Sequence, residues 1–568
     1  MSIAKRKNYR HAIQRAALAA AGAALLAWGQ AADAASYTWI GGLAGDVNSP
    51  QNWSPNGVPS SAAGDTMVFD GSGSDDAELV LRLSNSGDVT GAAGPGILVQ
   101  ITSPKAITID STQSLLRFAS GTAILVAEGA GAFSLGDGEG SAVAYGVGNA
   151  SGQTHVFTNH SSNLATINSD IVFNGGGAGT HTLRFNGSGD WTAHNLIRNT
   201  ENLYQSNGLF HIHKEGSGTL TLSHSANVYS GDVRIDGGTV RATSDWALGY
   251  GGQYTVGREA GKTIASGAVA AAAIDLAGNI TVNEPIVLDG STHGASLINS
   301  VAGSTATVDN GIAAIVLSNG GSDYGSLGWD KVTATITGGG GSGAAVRVWK
   351  SGNSAAGVSH VHMTAPGSGY TSAPTVVLNN GEGAGNAVAT AVLSSITLSG
   401  TNNYIGGDGN LNIAAVIGES TPGSGFIKIG NGITTLSGAN TYTGPTVVRE
   451  GRLVVSGSLS GEAVTVESGA ILQLASETAL SSSTILSLIS PQEGSIVLDA
   501  DLTIAELRID GELLPGGVYS ATTAPTGFQS VQAVFSGSGT LTVVPEPASV
   551  GLMLGGLMVL STRLGRNR

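Results

Sequence analysis

The stretch Lys214–Ala242, KEGSGTLTLSHSANVYSGDVRIDGGTVRA, returns later in the chain as Lys428–Val455, KIGNGITTLSGANTYTGPTVVREGRLVV. The two copies align nearly position for position, with one extra residue in the first between Ser223 and Asn227. Gly216 and Gly218 match Gly430 and Gly432, and Asn227, Tyr229 and Gly231 match Asn440, Tyr442 and Gly444. Gly238 matches Gly451, and a half copy, TLSGTNNYIGG, occupies Thr397–Gly407.

Within a unit, Leu220 and Leu222 alternate with threonines, and Val233 and Ile235 flank Arg234. That is the period of half-buried strands. Asp236-Gly237-Gly238 is a turn signal before the next run. One unit therefore reads as three short strands with Gly and Asn corners. Each strand offers one apolar row, too little area to bury alone, so units must stack. The fold class that follows is all-β, a parallel β-helix or β-solenoid.

The glycine, leucine, asparagine and tyrosine pattern of both copies resembles the autotransporter-associated β-strand repeat. The resemblance implies a large secreted or surface β-protein, and it brings no catalytic residues with it. Composition agrees with many tight turns: glycine numbers 87 of 568 residues, and charged residues are only 11%. Cysteine is absent, so no disulfide or thiolate site is available. The net charge is −15, although eight of the 25 basic residues lie in the first 15 and last six positions. The acidic body argues against a nucleic-acid partner, since phosphate binding needs clustered cations.

Residues 1–35 read as a signal peptide: a basic start from Lys5 to Arg15, an apolar run Ala16–Trp28, and Ala32-Asp33-Ala34 before the cut. Residues 36–210 are expected to hold an N-terminal cap and irregular coils. Tyr37–Gly73 has the W-x-G-G, N-W and G-V-P order usual at the start of secreted proteins with these repeats. Trp39 and Trp53 are expected to cap the solenoid, with an exposed sugar-binding platform as the alternative. The first repeat region spans 211–315. Residues 316–393 carry an unrelated glycine-rich duplication, in which Asn319–Tyr324 is answered by Pro366–Tyr370 and Thr333–Thr337 by Thr375–Leu378. A side module or altered coils is expected there. Repeats resume over 394–544, closing with Leu507–Ser520 and Phe535–Val544.

The terminus, 545–568, resembles the PEP-CTERM sorting signal. Pro545-Glu546-Pro547 leads into the apolar run Ala548–Leu560, followed by Arg563, Arg566 and Arg568. The resemblance implies an exosortase-type processing enzyme as partner, reading the tripeptide. The apolar run is a short transmembrane segment entering the inner membrane transiently, and the arginines are membrane-stop residues on the cytoplasmic side.

Catalytic signatures of the G-x-S-x-G, H-E-x-x-H and P-loop kinds are absent from the sequence. No cofactor, metal or catalytic residue is assigned. His211-Ile212-His213 and His360-Val361-His362 each put two imidazoles on one strand face, and without a third ligand nearby they read as polar outer surface. Gly136–Gly140 and Gly406–Asn410 resemble calcium-binding turns but do not recur in tandem. Asp232, Arg234 and Asp236 share a strand face, the kind of grouping a carbohydrate-active β-helix would use. The second copy has Pro445, Val447 and Arg449 there. The reading is a non-enzymatic exported protein of the cell envelope, cell surface or matrix of a Gram-negative-type bacterium. Its role is structural or adhesive, with envelope or matrix polysaccharide as a further partner. The alternative is a polysaccharide lyase or hydrolase.

Overall fold

The computed structural model describes residues 34–544, less 42–48, 61–62, 73–77, 83–96, 111–119, 137–143, 146–151, 174–179, 196, 199–208, 228, 230, 250–253, 256–259, 326, 329–330, 351–356, 382 and 384. The signal-peptide run, the sorting tripeptide, the apolar run and the three terminal arginines all lie outside the described residues. Among the described residues no helix is long and apolar enough to cross a membrane.

The chain is a stack of short parallel strands. A sheet of 16 strands runs the length of the solenoid, one of 13 strands accompanies it as far as Val416–Glu419, and a third of eight strands joins them in the later coils. Three-residue strands such as Ala165–Ile167 and Trp191–Ala193 pair in parallel with no slip, Ala165 on Trp191 and Ile167 on Ala193. Alternation fixes the register: the outer residues of each triplet point inward and the middle one outward. Inward rows of Ile, Leu, Val and Phe form one continuous apolar core. Phe157, Phe185, Trp191 and Phe133 stack within it, with ring centroids 5.7–6.3 Å apart. Trp39 and Trp53 are both 1% exposed and meet edge to face at 5.0 Å in the first coil. They are cap residues by this geometry, and the exposed sugar platform is overturned: burying the rings against Phe69 removes far more apolar area from water than a surface pose would.

Corners are made where strands are joined by Gly-x-Gly. Gly216 has φ +72° and Gly430 has φ +72°, and a Cβ on either would lie within 2.4 Å of the carbonyl oxygen of the corner below, Gly187 and Gly407 respectively. Corner glycines thus stack on corner glycines, which only residues without a side chain can do.

The two repeat copies do not occupy the same sides of the solenoid. In the first, Leu209–Lys214 lies in the 13-stranded sheet and Thr219–Leu222 in the 16-stranded sheet. Its Asn227 turn covers the third side, where the Asn227 Oδ1 accepts from Ile197 N at 2.9 Å. In the second, Phe426–Ile429 lies in the 16-stranded sheet and Ile433–Leu436 in the eight-stranded one. Its Asn440 turn then lies on the side of the first sheet, accepting from Ile417 N at 2.9 Å. The same sequence unit has moved one face on.

Residues 312–393 leave the solenoid and form a module with a core of its own. Ile312–Asn319, Val388–Leu393, Thr375–Asn379 and Thr333–Thr337 form an antiparallel sheet. Ser342–Lys350 pairs with Val358–Ser368 in a second sheet, which also takes Tyr254–Thr255 from a solenoid loop. The pairings are nested, first strand with last and third with fourth, so the duplicated halves face each other. Tyr324 and Tyr370, the repeated tyrosines, are both buried in a core separate from that of the solenoid. Meanwhile the coils close over the insertion: Pro285–Gly290 pairs directly with Ser395–Gly400.

Candidate functional site

The outer surface of the 16-stranded sheet carries one row of hydroxyl side chains. Thr108, Ser134, Thr166, Thr192 and Thr221 are registered on one another in five successive coils. Each points outward from its short strand. The row ends where Thr221 meets Arg241, whose Nε donates to the buried Asp275 at 2.7 Å. Beside it, Asn168 Nδ2 donates to Ser134 Oγ at 3.0 Å, and the His194 ring shares a hydrogen bond with Ser223. This is an uncharged, ribbed strip with a strand-to-strand spacing of about 4.8 Å.

The neighbouring face is charged. His213 Nε2 lies 2.7 Å from Asp236 Oδ2 and 3.6 Å from Glu215 Oε1. Arg184 Nε approaches Glu215 Oε1 at 3.5 Å, and Arg234 Nε approaches Asp236 Oδ1 at 2.9 Å. Ser266 Oγ donates to the same Oδ1. Burial works against the Asp236 carboxylate, but the hydrogen bonds from Ser266, Arg234 and His213, with the Arg234 charge, hold it below the ordinary range. His211 accepts from Asp232 N at 2.9 Å, and burial lowers its pKa although Asp232 pulls the other way. Asp232, Arg234 and Asp236 are therefore tied into ion pairs and backbone contacts. His213, Glu215 and Asp236 nonetheless offer three ligand atoms within 4.8 Å of one another. The expectation that no third ligand stands near the histidine pair fails here. Glu215 stands two places beyond His213 on the same strand side, and Asp236 arrives from the next coil.

The second pair behaves differently. His360 is 7% exposed, and His362 is drawn down to about 4, chiefly by burial and then by Arg347. The His362 ring packs on Trp349, with centroids 6.2 Å apart. Arg347 lies over the same Trp349 ring, 4.9 Å from its centroid. The expectation of a polar outer face fails for His360, which packing within the module buries, while His362 is half-buried against Trp349. A further group missed in the sequence is Glu284. It lines a water-sized cavity with Tyr229, Lys262 and Ala313 where the module joins the solenoid, and burial raises its carboxyl well above the ordinary value.

Two lysines that lead the repeat copies also escaped the sequence reading. Lys214 and Lys428 are 1% and 0% exposed. Lys214 Nζ donates to Glu215 O at 2.7 Å and Gly216 O at 3.0 Å. Lys428 Nζ donates to Ile429 O, Gly430 O and Glu450 O at 2.7–3.0 Å. Each ammonium sits inside a glycine corner and satisfies carbonyls that no strand reaches. Burial brings both down to about 8 from 10.5. Below pH 8 both folded and unfolded chains hold the proton, and the burial penalty is fully present. Between 8 and 10.5 only the unfolded chain holds it, so stability climbs with pH. Burial raises the Tyr442 phenol above its ordinary 10.0, so it opposes the climb only beyond that pH, where the unfolded chain alone ionises. Glu284, whose carboxyl burial raises, works against the climb, so the lysine contribution is read as a difference: between about pH 7 and about pH 9.5 the urea midpoint of the wild-type chain should change more favourably than that of a chain lacking both ammonium groups. The Lys214→Met/Lys428→Met variant is that chain; an equal change in the two would assign the effect to other groups.

The passenger-associated-transport-repeat family matches the chain at residues 212–242 and 426–455, the two copies described above. No curated protein and no solved structure matches the chain. The protein is a parallel β-helix that carries passenger-associated transport repeats, and such repeats fit a passenger-like protein.

Proposed function

We propose that this protein is an exported β-helix of the cell envelope, cell surface or extracellular matrix of a Gram-negative-type bacterium, with a structural or adhesive role. The observation that carries the reading is the uncharged Thr108–Ser134–Thr166–Thr192–Thr221 strip on a solenoid built with passenger-associated repeats. A rigid row of hydroxyls suits repeated weak contacts with a neutral polysaccharide, where many modest hydrogen bonds add through multivalency. Export begins with residues 1–35. Pro545-Glu546-Pro547 is the processing site of an exosortase-type enzyme, presented while Ala548–Leu560 lodges in the inner membrane and Arg563, Arg566 and Arg568 hold it there.

The carboxylates weighed for an enzyme support this reading over a lyase or hydrolase. Asp232 and Asp236 are engaged by neighbouring cations and backbone, and Glu284 faces a cavity with room for about one water. Residues 36–544 should sediment with insoluble envelope or matrix polysaccharide and release no soluble sugar from it. Replacing Thr166, Thr192 and Thr221 together by lysine should abolish sedimentation. Sugar release that disappears with one carboxylate substitution would establish the enzyme instead. Intact-mass analysis of the exported protein should show a C-terminus near Pro545; a mass that includes Arg568 would remove the processing step.

A further inference from the structure

We propose that His213 Nε2, Glu215 Oε1 and Asp236 Oδ2 form a binding site for a divalent first-row transition metal on the outer face of the solenoid. One ligand atom of each residue lies within 4.8 Å of the other two, with His213 Nε2 at 2.7 Å from Asp236 Oδ2 and 3.6 Å from Glu215 Oε1. They come from two coils: His213 lies in Leu209–Lys214 and Glu215 directly follows it, and Asp236 follows Val233–Ile235, which pairs with that strand one coil on. Because Asp236 N donates to Lys214 O, the strand ends stay in register and the two carboxylates are stacked neighbours.

The oxygens of Asp236 divide the work. Oδ1 is held by Arg234 and Ser266, while among the described residues Oδ2 meets His213 alone. Outer donors that fix one oxygen and leave the other aimed at a shared point are the usual support of a ligating carboxylate. An ionised carboxylate only accepts, so the 2.7 Å contact puts the imidazole hydrogen on Nε2. A metal ion would take the place of that hydrogen, and the ring would carry its proton on Nδ1.

The surroundings select the class of ion. Arg184 and Arg234 balance Glu215 and Asp236, so a cation finds no net negative field here. His211 and Asp232 lie on the same face one step along the strands, and the Lys214 ammonium is turned inward to its corner carbonyls. Calcium and magnesium, which depend on charge and oxygen number, gain little. Zinc, cobalt or nickel gain from the imidazole bond. The second repeat copy has Ile427, Ile429 and Arg449 at the matching positions, so the coil folds without these ligands.

The test is titration of the untagged full chain with cobalt(II) and zinc(II) chloride, followed by calorimetry and cobalt visible absorption. One equivalent should bind. His213→Ala and Asp236→Asn should each weaken affinity at least about tenfold. Arg184→Gln, which frees Glu215 from a competing cation, should tighten it, and calcium should not compete. The paired variant His213→Ile/Glu215→Ile, which takes its residues from the second repeat copy, should keep the wild-type melting profile and lose the cobalt absorption. Absence of saturable binding to the folded wild-type chain would overturn the proposal. So would a site that survives the paired variant.

Discussion

Gly430→Val should unfold the corner between Phe426–Ile429 and Ile433–Leu436. The residue has φ +72°, which a β-branched side chain strongly resists, and its Cβ would sit 2.4–2.7 Å from Gly407 O, C and Cα. Neither the chain below nor the one above, at Gly451, can yield without moving its own corner. Backbone strain and overlap together are of order 3–5 kcal/mol. Gly469→Ala is the control: its φ is +81°, but nothing lies within 4 Å, so strain alone acts, at about 1 kcal/mol. Urea unfolding measures the difference. Because coils touch only their neighbours, limited proteolysis of the valine variant should open the chain near residue 430 and spare the N-terminal coils. Equal midpoints for the two variants would show that the corners can relax.

Excising residues 312–393 should leave the solenoid folded. Gly311 and Ser394, which flank the excision, are already joined by a 3.0 Å backbone hydrogen bond from Ser394 N to Gly311 O. The strands before and after the insertion pair without slip: Pro285–Gly290 with Ser395–Gly400, Ala295–Ile298 with Asn403–Gly406, and Thr305–Val308 with Asn410–Ile413. The module keeps its own core around Ile315, Tyr324, Val361 and Leu378. The lost contacts include those of Tyr254–Thr255, the 2.7 Å hydrogen bond from Gly369 N to Asn310 Oδ1, and part of the lining of the Glu284 cavity. Circular dichroism should retain the β spectrum, with a melting midpoint within a few degrees of the full chain, a range of about 1–2 kcal/mol. Collapse of the shortened chain would make the module a structural brace.

The parallel β-helix was legible because its signals are local. Thr219–Leu222 and Val233–Ile235 alternate with period two, and Gly216 and Gly430 mark corners in matching frames. Burial of Trp39 and Trp53 followed from their size. What escaped depends on which residues the coil spacing superimposes. Asp236 lies 23 positions from His213, and no local period links them. Lys214 and Lys428 look like surface charges in a one-strand view, and only the closed corner shows the carbonyls they serve. The one sequence signal for them was their shared place at the head of both copies. In the module, the duplication was visible but the nested pairing was not, since either half could have stacked as another coil.

The shift of the second repeat copy by one face has a directional consequence. A corner joining two strands works equally well on either pair of sides, so the repeat specifies a bend and leaves its compass bearing open. Gaining or losing a single strand between two copies therefore re-aims what projects from the later coils while keeping the parallel pairing of strand on strand within them. Along a rod of this kind, heading becomes a quantity that small insertions can change independently of length and stability.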